Sequence, residues 1–136
     1  MPAKKVIVVS GKRKTAVSRA VIRQGIGKVH VNRIPVEIFE PEIARVKIME
    51  PLVQSGDDVW KQLEIDVEVL GGGYMGQAEA ARMAIAIGIL KWTKSAHLRT
   101  VFAEYDRTMI AGDKRKKESK KFGGPGARSR DQKSYR

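Results

Sequence analysis

Apolar and polar positions change their period along the chain, and each change marks an element. Leu63, Ile65, Val67 and Val69 alternate with Glu64, Asp66 and Glu68, the cleanest two-residue period present, which predicts a strand with one buried face. Val6 to Val9 is an unbroken β-branched run that predicts a short buried strand closed by Ser10-Gly11. The β-branched-rich run Thr15 to Gln24 predicts a longer strand, and Gly25-Ile26-Gly27 turns it toward Lys28-Val29-His30-Val31, so an N-terminal β-meander is expected.

Helical spacing begins further on. Between Pro35 and Gln54, prolines at 35, 41 and 51 punctuate Ile43, Val46, Ile48 and Met49, which predicts one or two short helices with Pro41 near a helix start. Gly71-Gly72-Gly73 stops the alternating strand, and from Gln77 to Lys94 the residues Ala78, Ala81, Ile85, Ile89 and Trp92 follow helical spacing. The opposite side of this main helix is also apolar (Ala84, Ala86, Ile87). Gly88 lies mid-helix at a cost of about 1 kcal/mol relative to Ala, which predicts close packing against a sheet. His97 to Tyr105 predicts a shorter helix. Beyond Asp113 only Phe122 and Tyr135 are large and apolar, so residues 1–112 are expected to form the globular unit and 113–136 an extended basic tail.

Charge sharpens this division. The 136 residues carry a net charge of +12, which points to a polyanionic partner. Residues 1–33 hold nine basic and no acidic side chains, residues 34–111 eight basic and twelve acidic, and residues 112–136 ten basic and three acidic. The basicity therefore belongs to the two ends, while the body is acidic. The absence of cysteine excludes disulfides and thiolate metal sites and fits a reducing compartment. Val6–Val9 is too short for the apolar region of an export signal, and no stretch approaches the ~20 residues of a membrane span, so no membrane partner is expected.

Most candidate chemistry dissolves on inspection. Gly71-x-Gly73-x-x-Gly76 matches the dinucleotide fingerprint in form, but no second strand ending in an acid follows the helix, so a plain glycine turn is the better reading. Gly11-Lys12-Arg13-Lys14-Thr15 lacks the upstream glycine of a Walker loop, and Lys12, the lysine after Gly11, is followed by Arg13 where that loop needs Ser or Thr. Glu64, Asp66 and Glu68 lack a companion nucleophile and read as a salt-bridged sheet face with Arg19 and Arg23 as partners. His30 and His97 stand without ligand spacing, and neither a metal nor a cofactor is expected.

The basic ends carry the functional signal. Lys12-Arg13-Lys14 lies beside a glycine at a strand start, and Lys114-Arg115-Lys116-Lys117 with Lys120-Lys121 follows the last helix, giving two clusters that can each contact several phosphates. Further on, Arg128, Arg130, Lys133 and Arg136 alternate with glycine, proline and serine, and Tyr135 can stack on a base or ribose. Two rival classes remain: a sequence-independent architectural nucleic-acid binder and, on the glycine turn alone, a nucleotide-utilising enzyme.

Gly11-Lys12-Arg13-Lys14-Thr15-Ala16-Val17, Val31-Asn32, Gly71-Gly72-Gly73-Tyr74-Met75-Gly76-Gln77-Ala78, the Lys114–Lys121 run and the ending Gln132-Lys133-Ser134-Tyr135-Arg136 together resemble the small-subunit ribosomal protein nine family. The Lys-Ser-Tyr-Arg ending and the short chain resemble its archaeal branch. The resemblance implies an α+β domain with the ribosomal protein S-five domain-two-like fold: a mixed, largely antiparallel sheet packed with helices, a left-handed βαβ unit and an extended C-terminal tail. It also implies a structural, non-catalytic role in the cytoplasmic ribosome, on ribosomal RNA of the small-subunit head beside neighbouring head proteins. The tail cations carried over are Arg128, Arg130, Lys133 and Arg136: Arg128 and Arg130 would contact ribosomal RNA, and Lys133, Tyr135 and Arg136 would reach the peptidyl-site tRNA, with Arg136 foremost. Asp131 departs from the aromatic or apolar residue that related members tend to carry there, and an acid at that point would not face a phosphate.

Overall fold

The computed structural model describes residues 5–130. Strands β1 (Val6–Arg13), β2 (Ala16–Gln24), β3 (Val29–Val31), β4 (Ile34–Pro35) and β5 (Leu63–Leu70) form one sheet in the order β1-β2-β5-β3-β4. Helices α1 (Glu42–Ser55), α2 (Asp57–Trp60), α3 (Tyr74–Thr93), α4 (Ala96–Tyr105) and α5 (Thr108–Ala111) complete the α+β domain. The alternating segment becomes the central strand, antiparallel to β2 and parallel to β3. Leu63, Ile65, Val67 and Val69 all point into the core, as their period requires.

The meander expectation fails at β3, which pairs with β5 instead of β2. Gly25 and Gly27 explain the change of neighbour. Their amides donate to Gln62 O at 3.0 Å and Leu63 O at 2.9 Å, so the link crosses the start of β5. A side chain on Gly25 would meet Glu64, and Gly27 has φ +92°. β3 and β5 are joined through α1 and α2 as the parallel pair of a βαβ unit. Past the end of β3, Asn32 donates its amide N–H to Val67 O (2.8 Å), and its side chain accepts from Val69 N (2.8 Å), extending the ladder by one side chain.

α3 covers the sheet across β1, β2 and β5 and carries α1 on its other side, which is why both of its faces are apolar. Alanines at 78, 80, 81, 84 and 86 let the layers approach closely. A Cβ on Gly88 would collide with Ile22 Cδ1 and lie 3.2 Å from Val9 Cγ2, so the mid-helix glycine answers to the sheet beneath it. Gly11 meets α3 in the same way at Ala80, where the buried Ser18 hydroxyl donates to Ala80 O at 2.6 Å. α1 starts directly after Pro41 and carries Pro51 buried inside it instead of ending there. The short elements β4 and α5, of two and four residues, have no period long enough to read from sequence.

Candidate nucleic-acid interface

Three loops that are far apart in sequence meet at one end of the domain: the β1–β2 turn, the glycine turn before α3, and the root of the C-terminal tail. Lys14 occupies the tight β1–β2 turn in the left-handed region, with φ +55°. The glycine turn packs against it. A Cβ on Gly71 would lie 2.6 Å from Thr15 O, and one on Gly72 would lie 3.2 Å from Ala16 Cβ; both glycines have positive φ. These glycines are used for backbone approach between two turns, and no strand follows α3 among the described residues. The dinucleotide reading therefore lacks both its free glycines and its second strand.

An arginine ties the tail root to this corner. The Arg13 side chain, only 11% exposed, donates through Nε to Glu79 on α3 and places Nη1 2.9 Å from Asp113 Oδ2 as a charge contact without hydrogen-bond alignment. Asp113 also accepts from Arg115 Nη2 at 2.8 Å and from the Arg115 backbone N–H at 2.9 Å. Those Arg115 hydrogen bonds, helped by the Arg13 charge, hold the Asp113 carboxyl well below the usual carboxylate range, so it stays charged at any physiological pH. As a result Lys12 and Lys114 line one cavity of about 240 Å³, and Lys12, Arg13 and Arg115 line another of about 210 Å³.

The expected contact residues thus divide. Arg13 turns inward and serves as the strut between the β1–β2 turn and the tail, whereas Lys12 and Lys14 are exposed. Lys114, Lys116, Lys117, Lys120 and Arg130 are exposed and have no carboxylate within salt-bridge range among the described residues. Arg115 is paired with Asp113, while Lys121 and Arg128 share Glu118 at 3.2 and 3.1 Å. No helix or strand is formed from Gly112 to Arg130, and Phe122 is fully exposed, as the composition of the tail requires. Asp131, Lys133, Tyr135 and Arg136 lie outside the described residues.

Elsewhere the acidic strand face behaves as a salt-bridged sheet. Arg23 donates to Asp66 at 2.7 Å and to Glu64 at 3.2 Å; Arg19 stands opposite Glu68 in register. Hydrogen bonding to Arg23 lowers the Glu64 pKa. Among the described residues no cluster of three or more His, Asp or Glu is placed to hold a metal, and no helix is long and apolar enough to cross a membrane.

Sequence reasoning missed Arg82, which is 4% exposed in the middle of α3. Its Nη1 donates to Glu50 on α1 at 2.7 Å and to Asp106 at 2.9 Å, and its Nη2 donates to Thr108 at 3.3 Å. Burial pulls the guanidinium down, but the two carboxylates outweigh it and leave its pKa above the ordinary arginine value. Arg82 lines the same cavity as Arg13, so it fixes α1 and the α4–α5 junction just upstream of the tail root. The one signal in the sequence was a lone arginine inside the run Ala80-Ala81-Arg82-Met83-Ala84.

Comparison with known proteins bears on the whole chain. Residues 11–136 match the family described as "Ribosomal protein S9/S16". The small ribosomal subunit protein uS9 of Methanothrix thermoacetophila is 51% identical over 132 residues, covering 97% of this chain and 99% of the relative. The protein of the same name from Halobacterium salinarum is 53% identical over 127 residues, covering 93% and 96%. With near end-to-end coverage at such identity, the chain belongs to the ribosomal protein S9/S16 family.

Proposed function

We propose that the protein is a structural constituent of the small ribosomal subunit in the cytoplasm, seated on ribosomal RNA of the subunit head among neighbouring head proteins. It has no catalytic role in this reading. The domain of residues 1–112 is the platform and residues 113–136 are the arm. The observation that carries the proposal is the Arg13–Asp113 contact, which brings the two basic ends of the sequence to one corner. Lys12, Lys14, Lys114, Arg115, Lys116, Lys117, Lys120 and Lys121 then present cations to a single stretch of phosphate backbone, with Arg13 as their strut. Arg128 and Arg130 continue the contact along the arm. Lys133, Tyr135 and Arg136 are assigned to the peptidyl-site tRNA, where cations grip phosphate and the tyrosine ring stacks.

Reconstituting small subunits with the full chain or with a chain ending at Phe122 tests this reading. Both are expected to incorporate in the presence of competing duplex DNA, and the shorter chain is expected to bind peptidyl-site tRNA more weakly. Equal tRNA binding would remove the tRNA assignment. Loss of the full chain to duplex DNA would favour the architectural binder, because a preference for RNA must come from its shape and 2′-hydroxyls.

A further inference from the structure

The acidic balance of the body conceals a basic groove at the end of the domain where α3 passes into α4. From residue 80 to residue 103 the sequence holds no acidic residue, yet besides the buried Arg82 it holds Lys91, Lys94 and Arg99. The fold gathers these three around a groove of about 400 Å³ whose floor is made by the buried or part-buried Ile87, Leu90 and Ile110, with Ala96 exposed at its mouth. No acidic residue lines it. All three cations are exposed, and none has a carboxylate within salt-bridge range among the described residues. Of the other cations in residues 34–111, Arg45, Lys47, Lys61 and Arg82 have acids in salt-bridge range, and the exposed Arg107 has none among the described residues.

A simpler role for Lys91 and Lys94 would be to offset the negative end of α3. Two of the last carbonyls there already have partners. Lys5 Nζ donates to Trp92 O at 3.1 Å while lying 4.6 Å from the centre of the Trp92 ring, and Lys94 N donates to Leu90 O at 2.8 Å. The ammonium groups of Lys91 and Lys94 have no hydrogen-bond or salt-bridge partner among the described residues, and Arg99 lies on the next helix. On its other side the groove is entered by the start of α4, which has no acid in its first turn.

We infer that this groove is a separate RNA-binding surface on the body, resting on the function proposed above. Lys91, Lys94 and Arg99 hold successive phosphates of a ribosomal RNA strand, and the aliphatic floor packs against a ribose or base edge. Charge complementarity selects this occupant: three unopposed cations around an apolar floor match a strand that alternates phosphates with flat, weakly polar faces.

Two measurements on the full chain test the inference. The first compares binding to small-subunit ribosomal RNA across a salt series for the parent and for the K91Q/K94Q/R99Q variant, whose melting temperature is expected to match the parent because all three side chains are exposed. The variant should lose roughly 2 to 3 from the slope of log affinity against log salt. An unchanged slope overturns the groove and leaves the proposed function standing, whereas a parent that fails to bind the RNA overturns that function itself. In the second, a benzophenone amino acid replaces Ala96 at the mouth of the groove and is irradiated in assembled subunits. An adduct on ribosomal RNA supports the inference, and an adduct only on another protein or on a second copy of this chain contradicts it.

Discussion

Exchanging Lys114, Lys116, Lys117 and Lys120 for glutamine is expected to flatten the salt dependence of binding to small-subunit ribosomal RNA while leaving the fold intact. Each phosphate contact contributes about 0.7 to 0.9 to the slope, so the four together should remove roughly 3. In affinity, raising salt from 50 to 200 mM should then cost the variant roughly 10²-fold less than it costs the parent, following the same relation. These four rank above Arg115 and Lys121 because they have no carboxylate in range among the described residues, whereas Arg115 must give up Asp113 and Lys121 must give up Glu118. The melting temperature should not move, since all four side chains are exposed on a segment without helix or strand. A slope that stays at the parent value would take the tail root out of the interface.

Arg82→Ala is expected to destabilise the domain by about 3 kcal/mol, measured by chemical denaturation. Removing one partner of a buried ion pair strands the charges left behind. Here both Glu50 and Asp106 lose their common donor, and the low end of the usual range applies because Asp106 stays about a third exposed. Lys47→Ala, which removes a long, 3.7 Å pair with the same Glu50 from a lysine one-third exposed, should cost under about 1 kcal/mol. The pH dependence follows from Asp106. Burial pushes its carboxyl up, but hydrogen bonds from Thr108 and Arg82 outweigh burial and hold it below its ordinary value. Its contribution is therefore complete above the unfolded carboxylate range and is lost as pH falls through the lower folded value. In the Arg82→Ala protein this acid-side loss should be smaller. An Arg82→Ala domain as stable as the parent would mean that the network does not hold α1 and the α4–α5 junction.

The strands and long helices were legible because each buries one regular set of positions. Leu63 to Val69 shows the period of a strand with a single core face, and α3 shows its apolar residues on two sides because sheet and α1 both cover it. The order of strands was not legible. Nothing in the run Thr15 to Val31 distinguishes a meander from an arrangement in which a later strand enters between β2 and β3; that depends on where β5 lands, a long-range fact. Charge segregation located the functional ends but could not show that they meet, because the Arg13–Asp113 contact spans nearly the whole domain in sequence. For the same reason Arg13 looks in the sequence like one more phosphate contact, and Arg82 like a lone arginine in an alanine-rich run. A cation's role depends on which carboxylates the fold brings to it, and those lie on other elements. The groove at Lys91, Lys94 and Arg99 was hidden by averaging charge over residues 34–111.

The central claim is that the β1–β2 turn and the tail root form one RNA surface. The chain has no cysteine, so Lys12→Cys and Lys114→Cys can each carry a photoactivatable group at a single site. Irradiated in assembled small subunits, the two probes line one cavity and should label ribosomal RNA at nucleotides of the same helix or of helices in contact. Labelling of protein alone, or of RNA elements remote from each other, would contradict the account.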